Sequence, residues 1–385
     1  YGYGELFNEI NVHTGGIGTS LELYTDVTKV KEKEFRATFE IKGKALYPKL
    51  DVLFAMMREI LMESKLGDEK RLKEILSMLK TRLQTSFLSA GHTTAVLRSL
   101  SYTSPIARFR DITSGIGFYE VVKDLEENFE ERKELLIENL KKIAGRIFRK
   151  ENLMLSYTSA QEGLAVLEKA VPQFADSLHT GEKESHGQCI IHCKKRNEGF
   201  RTSSKVQYVA RTGNFIDGGA EYTGALQILK VILSYDYLWQ NVRVKGGAYG
   251  CMSGFNRIGE GYLVSYRDPN LEKTMEIYEG VVDYLKNFDI DDRDMNKFII
   301  GTISNLDRPM NPAAKGSRSL NLYMNRITEE MIRREREQIL DAQQEDIRGL
   351  ATVLEAVLAA GELCVIGSEE KIEEAKEMFG EIRTL

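Results

Sequence analysis

The sequence predicts an α+β protein: two homologous repeats, each a mainly antiparallel sheet with helices packed on one face. Three observations carry this. Segments with a two-residue apolar period alternate with segments of 3.6-residue period along the chain. The order strand, small polar cap, acidic amphipathic helix in "NLMLSYTSAQEGLAVLEKAVPQF" returns in "ELCVIGSEEKIEEAKEMFGEI", roughly 210 residues later. The 385 residues also exceed what one ordinary core organises.

In the first half, "SLELYTDV" and "EFRATFEIKG" alternate apolar and polar residues and read as strands. "YPKLDVLFAMMREILMES" reads as a helix. A second helix starts at Asp68, an N-cap residue type, and carries Leu72, Ile75, Leu76, Leu79 and Leu83 on one face. The segment 129–149 places Leu136, Leu140, Ile143 and Ile147 on one stripe and is a third long helix. "NLMLSYTS" (152–159) is expected to be a strand, followed by the helix "AQEGLAVLEKAV".

The second half uses the same grammar. "KVQYVART" reads as a strand and "TGALQILKVILSYDYL" as a helix; "GAYGCMSGF" and "GEGYLVSY" read as paired strands. "DPNLEKTMEIYEGVVDYLKNF" reads as a helix capped by Asp268, with Pro269 in its first turn. Further helices fill 291–359, and the chain closes with a strand, a Ser cap and a helix. Polar, Gly/Ser-rich sequence around "ADSLHTGEKESHGQ" and "KKRNEGFRTSSK" divides the repeats. The expected organisation is 1–174, a linker at 175–204, and 205–385.

Composition excludes some functions. A net charge of −5 disfavours general binding to nucleic acid or anionic membranes, both of which call for a basic face. No apolar run approaches the ~18 residues of a membrane span. Four cysteines make no disulfide framework and point to a reducing compartment. The opening "YGYGELFNEINVHTGG" starts on Tyr1 and reads like the interior of a longer protein.

Motif chemistry is sparse. None of the five histidines sits in H-E-x-x-H or H-x-x-E-H, the helical spacings that gather two imidazoles and a carboxylate around zinc. "HGQCIIHC" offers His186, Cys189, His192 and Cys193, but in a strand His192 faces away from the cysteines, and no second ligand pair follows; a linker entering a half-buried strand is the better reading. No G-x-S-x-G elbow is present. "TGGIG" (14–18) and "SGIG" (114–117) lack the G-K-[ST] ending of a phosphate loop and read as turns or close backbone approaches. "NLDRPMNPAAKG" (305–316) reads as a helix-to-helix connection, and the charged "TEEMIRREREQILD" as a solvated helix.

One segment invites a sharper reading. In "NVRVKGGAYG", Arg243 precedes Tyr249 by six residues, with Gly246 and Gly247 between them. In a strand, Tyr249, Cys251, Ser253 and Phe255 would share a face, and Arg243 could curl over it. An Arg fork donates to carbonyls or carboxylates, and a Tyr hydroxyl can donate to a developing oxyanion. The pair suits binding of a peptide carbonyl during hydrolysis. The alternative is a glycine turn between helix and strand, with both side chains packing.

At these residues the sequence resembles a known family. "RVKGGAYG" with "SGFNRIGEGYLVSYRDPNLEKTMEIYEG" is similar to the last domain of the presequence-protease branch of the insulinase/pitrilysin-type zinc metallopeptidases. "NVHTGGIG" and "FIIGTISNLDRPMNPAAKG" also fit that branch, and the likeness runs in order along essentially the whole chain. It implies the third and fourth domains of a four-domain clam-like peptidase whose halves close around a chamber. It also implies that Arg243 and Tyr249 act on the substrate, Arg243 holding its backbone and Tyr249 stabilising the oxyanion, with Gly246 and Gly247 contributing to substrate binding.

Zinc is implied on an N-terminal half that this chain lacks, with no cofactor in the chain itself. The implied partners are that half and unfolded peptide, in bacterial cytoplasm or, in a eukaryote, the mitochondrial matrix. The chain alone is expected to be inactive. Two alternatives remain. The chain is a standalone non-catalytic or structural core subunit of the same family, or it is an unrelated binding module using His186–Cys193 as a metal clip.

Overall fold

The computed structural model describes residues 1–181 and 191–385. Among these residues the strands form two sheets. In the first half, β1 (Ile17–Tyr24) and β2 (Arg36–Gly43) make an antiparallel pair with Leu21 opposite Phe39. The helix Leu50–Met62 buries Leu50, Leu53, Phe54 and Met57 against Ala170 and Phe174 of the helix Gln161–Asp176. Asp68 caps the helix Glu69–Ser89 as its residue type predicts, accepting from the Arg71 amide at 3.0 Å.

The second sheet has six strands: β3 (Glu198–Thr202), β4 (Tyr208–Asn214), β5 (Gly250–Phe255), β6 (Glu260–Tyr266), β7 (Glu362–Ser368) and β8 (Glu381–Thr384). Their order is β5-β6-β4-β7-β3-β8. Pairing is mainly antiparallel; β3 runs parallel to both β7 and β8. The α+β class holds.

Three details depart from expectation. The helices do not lie on one face of this sheet. Val209, Leu263, Leu363 and Val365 face a core that includes Ile228, Leu229, Ile232, Val281 and Leu354 from second-half helices. Tyr208, Ala210, Val264, Cys364 and Ile366 face Phe87, Ala95, Ile116 and Tyr119, from helices of the first half. Runs such as "ELCVI" are apolar at successive positions, and a strand apolar on both faces needs cover on both.

Residues 152–159, expected as a strand, pair with no strand among the described residues. β1 and β2 hydrogen-bond to each other, no ladder reaches this segment, and Leu153, Met154 and Leu155 stay exposed. Of the two segments whose likeness suggested a repeat, only the second forms its strand. Lastly, β3 lies inside the stretch expected to be linker. Its charged neighbours hid a strand whose Glu198, Gly199 and Phe200 are buried.

What makes a strand beginning with glutamate tolerable is a buried ion network. Arg98, on the helix Gly91–Leu100, grips Glu198 with Nε at 2.6 Å and Nη2 at 2.8 Å, and Asp111 with Nη1 at 2.6 Å. All three side chains are buried, and the Tyr102 hydroxyl donates to Glu198 at 3.0 Å. Burial alone would raise the Glu198 pKa; the bonds and charge of Arg98 outweigh it and hold the carboxyl below its usual value. The "SGIG" glycines serve this network. A Cβ on Gly115 or Gly117 would stand 2.7 or 2.8 Å from an Asp111 carboxylate oxygen.

A second buried carboxyl behaves oppositely. Glu362, where β7 begins, accepts from Thr103 Oγ1 at 3.1 Å and, among the described residues, faces no guanidinium at bonding distance, so burial pushes it up to about 7. A raised carboxyl binds its proton more tightly folded than unfolded. Its stabilising contribution is therefore full below the ordinary value of 4.5 and lost as pH rises to about 7. Glu362→Gln is expected to raise stability at pH 8 by on the order of 2 kcal/mol and to change it little at pH 5. Urea unfolding of both proteins at the two pH values checks this; an equal effect at both would sink it.

Candidate active site

The site forms just after the helix Ala225–Tyr235, which ends at Asp236 (φ −120°, ψ −87°), where the chain re-enters a π-helical turn, Trp239–Val244. Wider turns of this kind recur at functional positions. Here Val242 is fully buried and anchors the turn, which directs Arg243 outward. The Arg243 guanidinium stacks on the Trp239 ring at 3.9 Å and lies 6.0 Å from the Tyr249 ring.

Both glycines are required, for different reasons. A Cβ on Gly246 would stand 2.4 Å from the Val242 carbonyl oxygen, so the chain doubles back too tightly for a side chain. At Gly247 a Cβ would make only an ordinary contact with Pro269 Cγ at 3.6 Å, but the φ of +83° lies in the left-handed region that suits glycine. The Gly247 amide donates to the Arg243 carbonyl at 2.8 Å, closing the turn.

Tyr249 does not share a face with Cys251, Ser253 and Phe255. Those three are buried, whereas Tyr249 is 67% exposed, its ring edge-on to Tyr266 at 5.7 Å. Strict alternation begins only with the ladder at Gly250. Ala248 takes the inward position ahead of it, and Tyr249 turns out. Arg243, Val244, Gly247, Ala248, Tyr249 and Arg267 line an open depression of ≈ 490 Å³.

Next to Arg267, Asp268 is not the helix cap its position suggested. The helix begins at Glu272 and ends at Glu279, and a second starts at Val281. Asp268 is buried, accepting from the Asn270 amide at 2.9 Å and Thr274 Oγ1 at 2.7 Å. Burial raises its pKa. Its main chain pairs with Gln207, and Asn270 Nδ2 donates to the Gly246 carbonyl at 2.6 Å. The two loops that form the depression are thus tied together. Sequence reasoning missed Trp239, Tyr266 and Arg267; the one available signal was the chain's single Trp four residues before Arg243, one helical turn away.

An Arg fork and a Tyr hydroxyl beside one open space can bind a carbonyl and donate to an oxyanion. Metal binding fits less well. His186 and Cys189 lie outside the described residues; His192 is exposed, and Cys193 is half-buried with its thiol pKa raised by burial. Among the described residues no group of three or more His, Cys, Asp or Glu is placed to hold a metal ion, and no helix is long and apolar enough to cross a membrane.

Residues 197–369 match the family model described as PreP C-terminal domain, and residues 1–125 match the model for the region associated with subfamily C of the M16 peptidases. The chain is 37% identical over 387 residues to Protein HypA of Clostridium perfringens, and 30% identical over 373 residues to Presequence protease 1, chloroplastic/mitochondrial, of Arabidopsis thaliana. These alignments take in 100% and 96% of this chain but only 39% and 34% of those proteins. In fold it resembles an M16 inactive domain from Pseudomonas fluorescens (TM-score 0.55, 12% identity, 94% of this chain and 82% of that one). It likewise resembles pitrilysin (TM-score 0.57, 11% identity, 94% and 36%).

Proposed function

The chain belongs to the presequence-protease branch of the insulinase/pitrilysin family, corresponding to its C-terminal half, and from that premise we propose that it supplies the substrate side of a zinc peptidase active site. The observation that carries the proposal is the convergence of Arg243 and Tyr249 on one open depression, across a turn that two glycines make possible. In this reading an unfolded peptide lies in the depression. Arg243 donates to a backbone carbonyl and holds the chain in register. Tyr249 donates to the scissile carbonyl oxygen as it becomes an oxyanion, a contact that strengthens toward the transition state and so lowers the barrier.

In this reading, which follows the family resemblance, the metal and the attacking water belong to an N-terminal half. The steps given to this chain are binding, orientation and oxyanion stabilisation. Assay of an unstructured peptide with zinc tests the division of labour. Turnover is expected when this chain is joined to or mixed with its N-terminal half, and none from the chain alone. Turnover by the chain alone would overturn the proposal.

A further inference from the structure

The depression holds a second cation that the Arg/Tyr pair leaves unused. Arg267 lines it, opposite Arg243. The lining contains no carboxylate, and neither arginine forms an ion pair with a described residue. Arg243 is held by the Trp239 ring. Arg267 lies 5.4 Å from the Tyr266 ring. Both guanidiniums are held by aromatic contacts that leave their charge uncompensated.

The backbone adds an independent observation. Arg267 has a φ of 48°. Lys33 and Arg326 share that left-handed conformation, but each sits at the end of a helical turn, where it is ordinary. Arg267 instead follows a strand, where a side chain with a Cβ is strained and Gly or Asn would fit better. Strain kept beside a site points to use of the side chain.

We propose that Arg267 is a specificity-determining residue that pairs with a carboxylate of the bound peptide, next to the segment held by Arg243 and Tyr249. This rests on the peptide-binding reading above and deepens it by naming the chemistry selected. The carboxylate belongs either to an Asp or Glu side chain or to the peptide's C-terminus; the fork geometry of Arg suits both.

The chain's single Trp, under Arg243, reports on the depression directly. Three short unstructured peptides are titrated into the chain while Trp239 fluorescence is followed: one with an internal Glu and an amidated end, its Gln counterpart, and the Gln peptide with a free C-terminal carboxylate. At least one carboxylate peptide is expected to bind roughly five- to tenfold more tightly than the Gln amide at low salt, with the gap closing as salt rises. Whichever peptide shows the gap identifies the source. Arg267→Asn, which suits the left-handed backbone, is expected to abolish the gap without lowering Tm; Arg267→Lys keeps part of it.

Equal affinities, no Trp239 response to any peptide, or a gap that survives Arg267→Asn would overturn the proposal. The two readings fail separately. Loss of the gap from a protein in which Tyr249→Phe still impairs turnover removes only the role of Arg267. Full turnover by Tyr249→Phe removes the oxyanion assignment and leaves the gap measurable.

Discussion

Tyr249→Phe in the enzyme completed by its N-terminal half is expected to lower kcat by ~10²–10³-fold, with little change in KM. The hydroxyl is the only group removed. Its assigned partner is an oxyanion that exists only along the reaction path, so ground-state binding should persist. Stability should persist too, because Tyr249 is 67% exposed and the retained ring keeps its edge contact with Tyr266. Steady-state kinetics together with zinc content and Tm separate the possibilities. Loss of kcat with zinc and Tm intact supports the oxyanion role. An unchanged kcat would make Tyr249 a surface packing residue and return the segment to a plain glycine turn.

Arg98→Ala is expected to destabilise the fold by about 3–5 kcal/mol. The substitution takes from Asp111 and Glu198, both buried, the one buried cation they share, leaving Asp111 with Arg108 at 2.8 Å and Glu198 with Arg383 and Arg196 only at 3.6 and 3.7 Å. A buried charge that loses its best partner costs more than an intact pair contributes, so the effect comes from what is left behind. The damage should also be directional. Arg98 belongs to a first-half helix and Glu198 to a second-half strand, so their contact joins helices of residues 91–127 to the six-stranded sheet. Hydrogen exchange is expected to rise at β3 and in the helix Gly91–Leu100 before it rises in the core around Leu229 and Leu354.

Removing the charges together, with Arg98→Met, Asp111→Asn and Glu198→Gln, should recover part of the loss. Glu198 gives this network a pH dependence opposite to that of Glu362. Its depressed carboxyl stabilises fully above the ordinary value of 4.5 and loses that contribution as pH falls through the folded value. Urea midpoints of the single and triple variants check the argument; equal losses in both would show that packing, not stranded charge, sets the cost.

Much of this was legible in the sequence because the physics involved is local. Two-residue and 3.6-residue periods located β1, β2, β4, β5, β6 and β7 and most helices. The Asp68 and Ser368 caps were readable because a cap needs only a side chain and an amide three residues on. The glycine pair between Arg243 and Tyr249 marked a turn whose tightness the structure explains atom by atom. Residues 152–159 carried the same local signal and formed no strand, because a strand also needs a partner edge, which no residue pattern of its own can supply.

Local pattern alone therefore specified the α+β class, the positions of most elements, and the residues that make the candidate site worth proposing. Long-range packing decided that first-half helices cover a second-half sheet, that Glu198 opens a buried strand, and that Arg267 joins Arg243 and Tyr249 in one depression. Each of those depends on groups that no local pattern links. Arg98 and Glu198 are separated by 100 residues, and a buried carboxylate reads as loop until the cation that neutralises it is known. Periodicity reports which face of an element is apolar; which element covers that face is settled by the packing of the whole molecule.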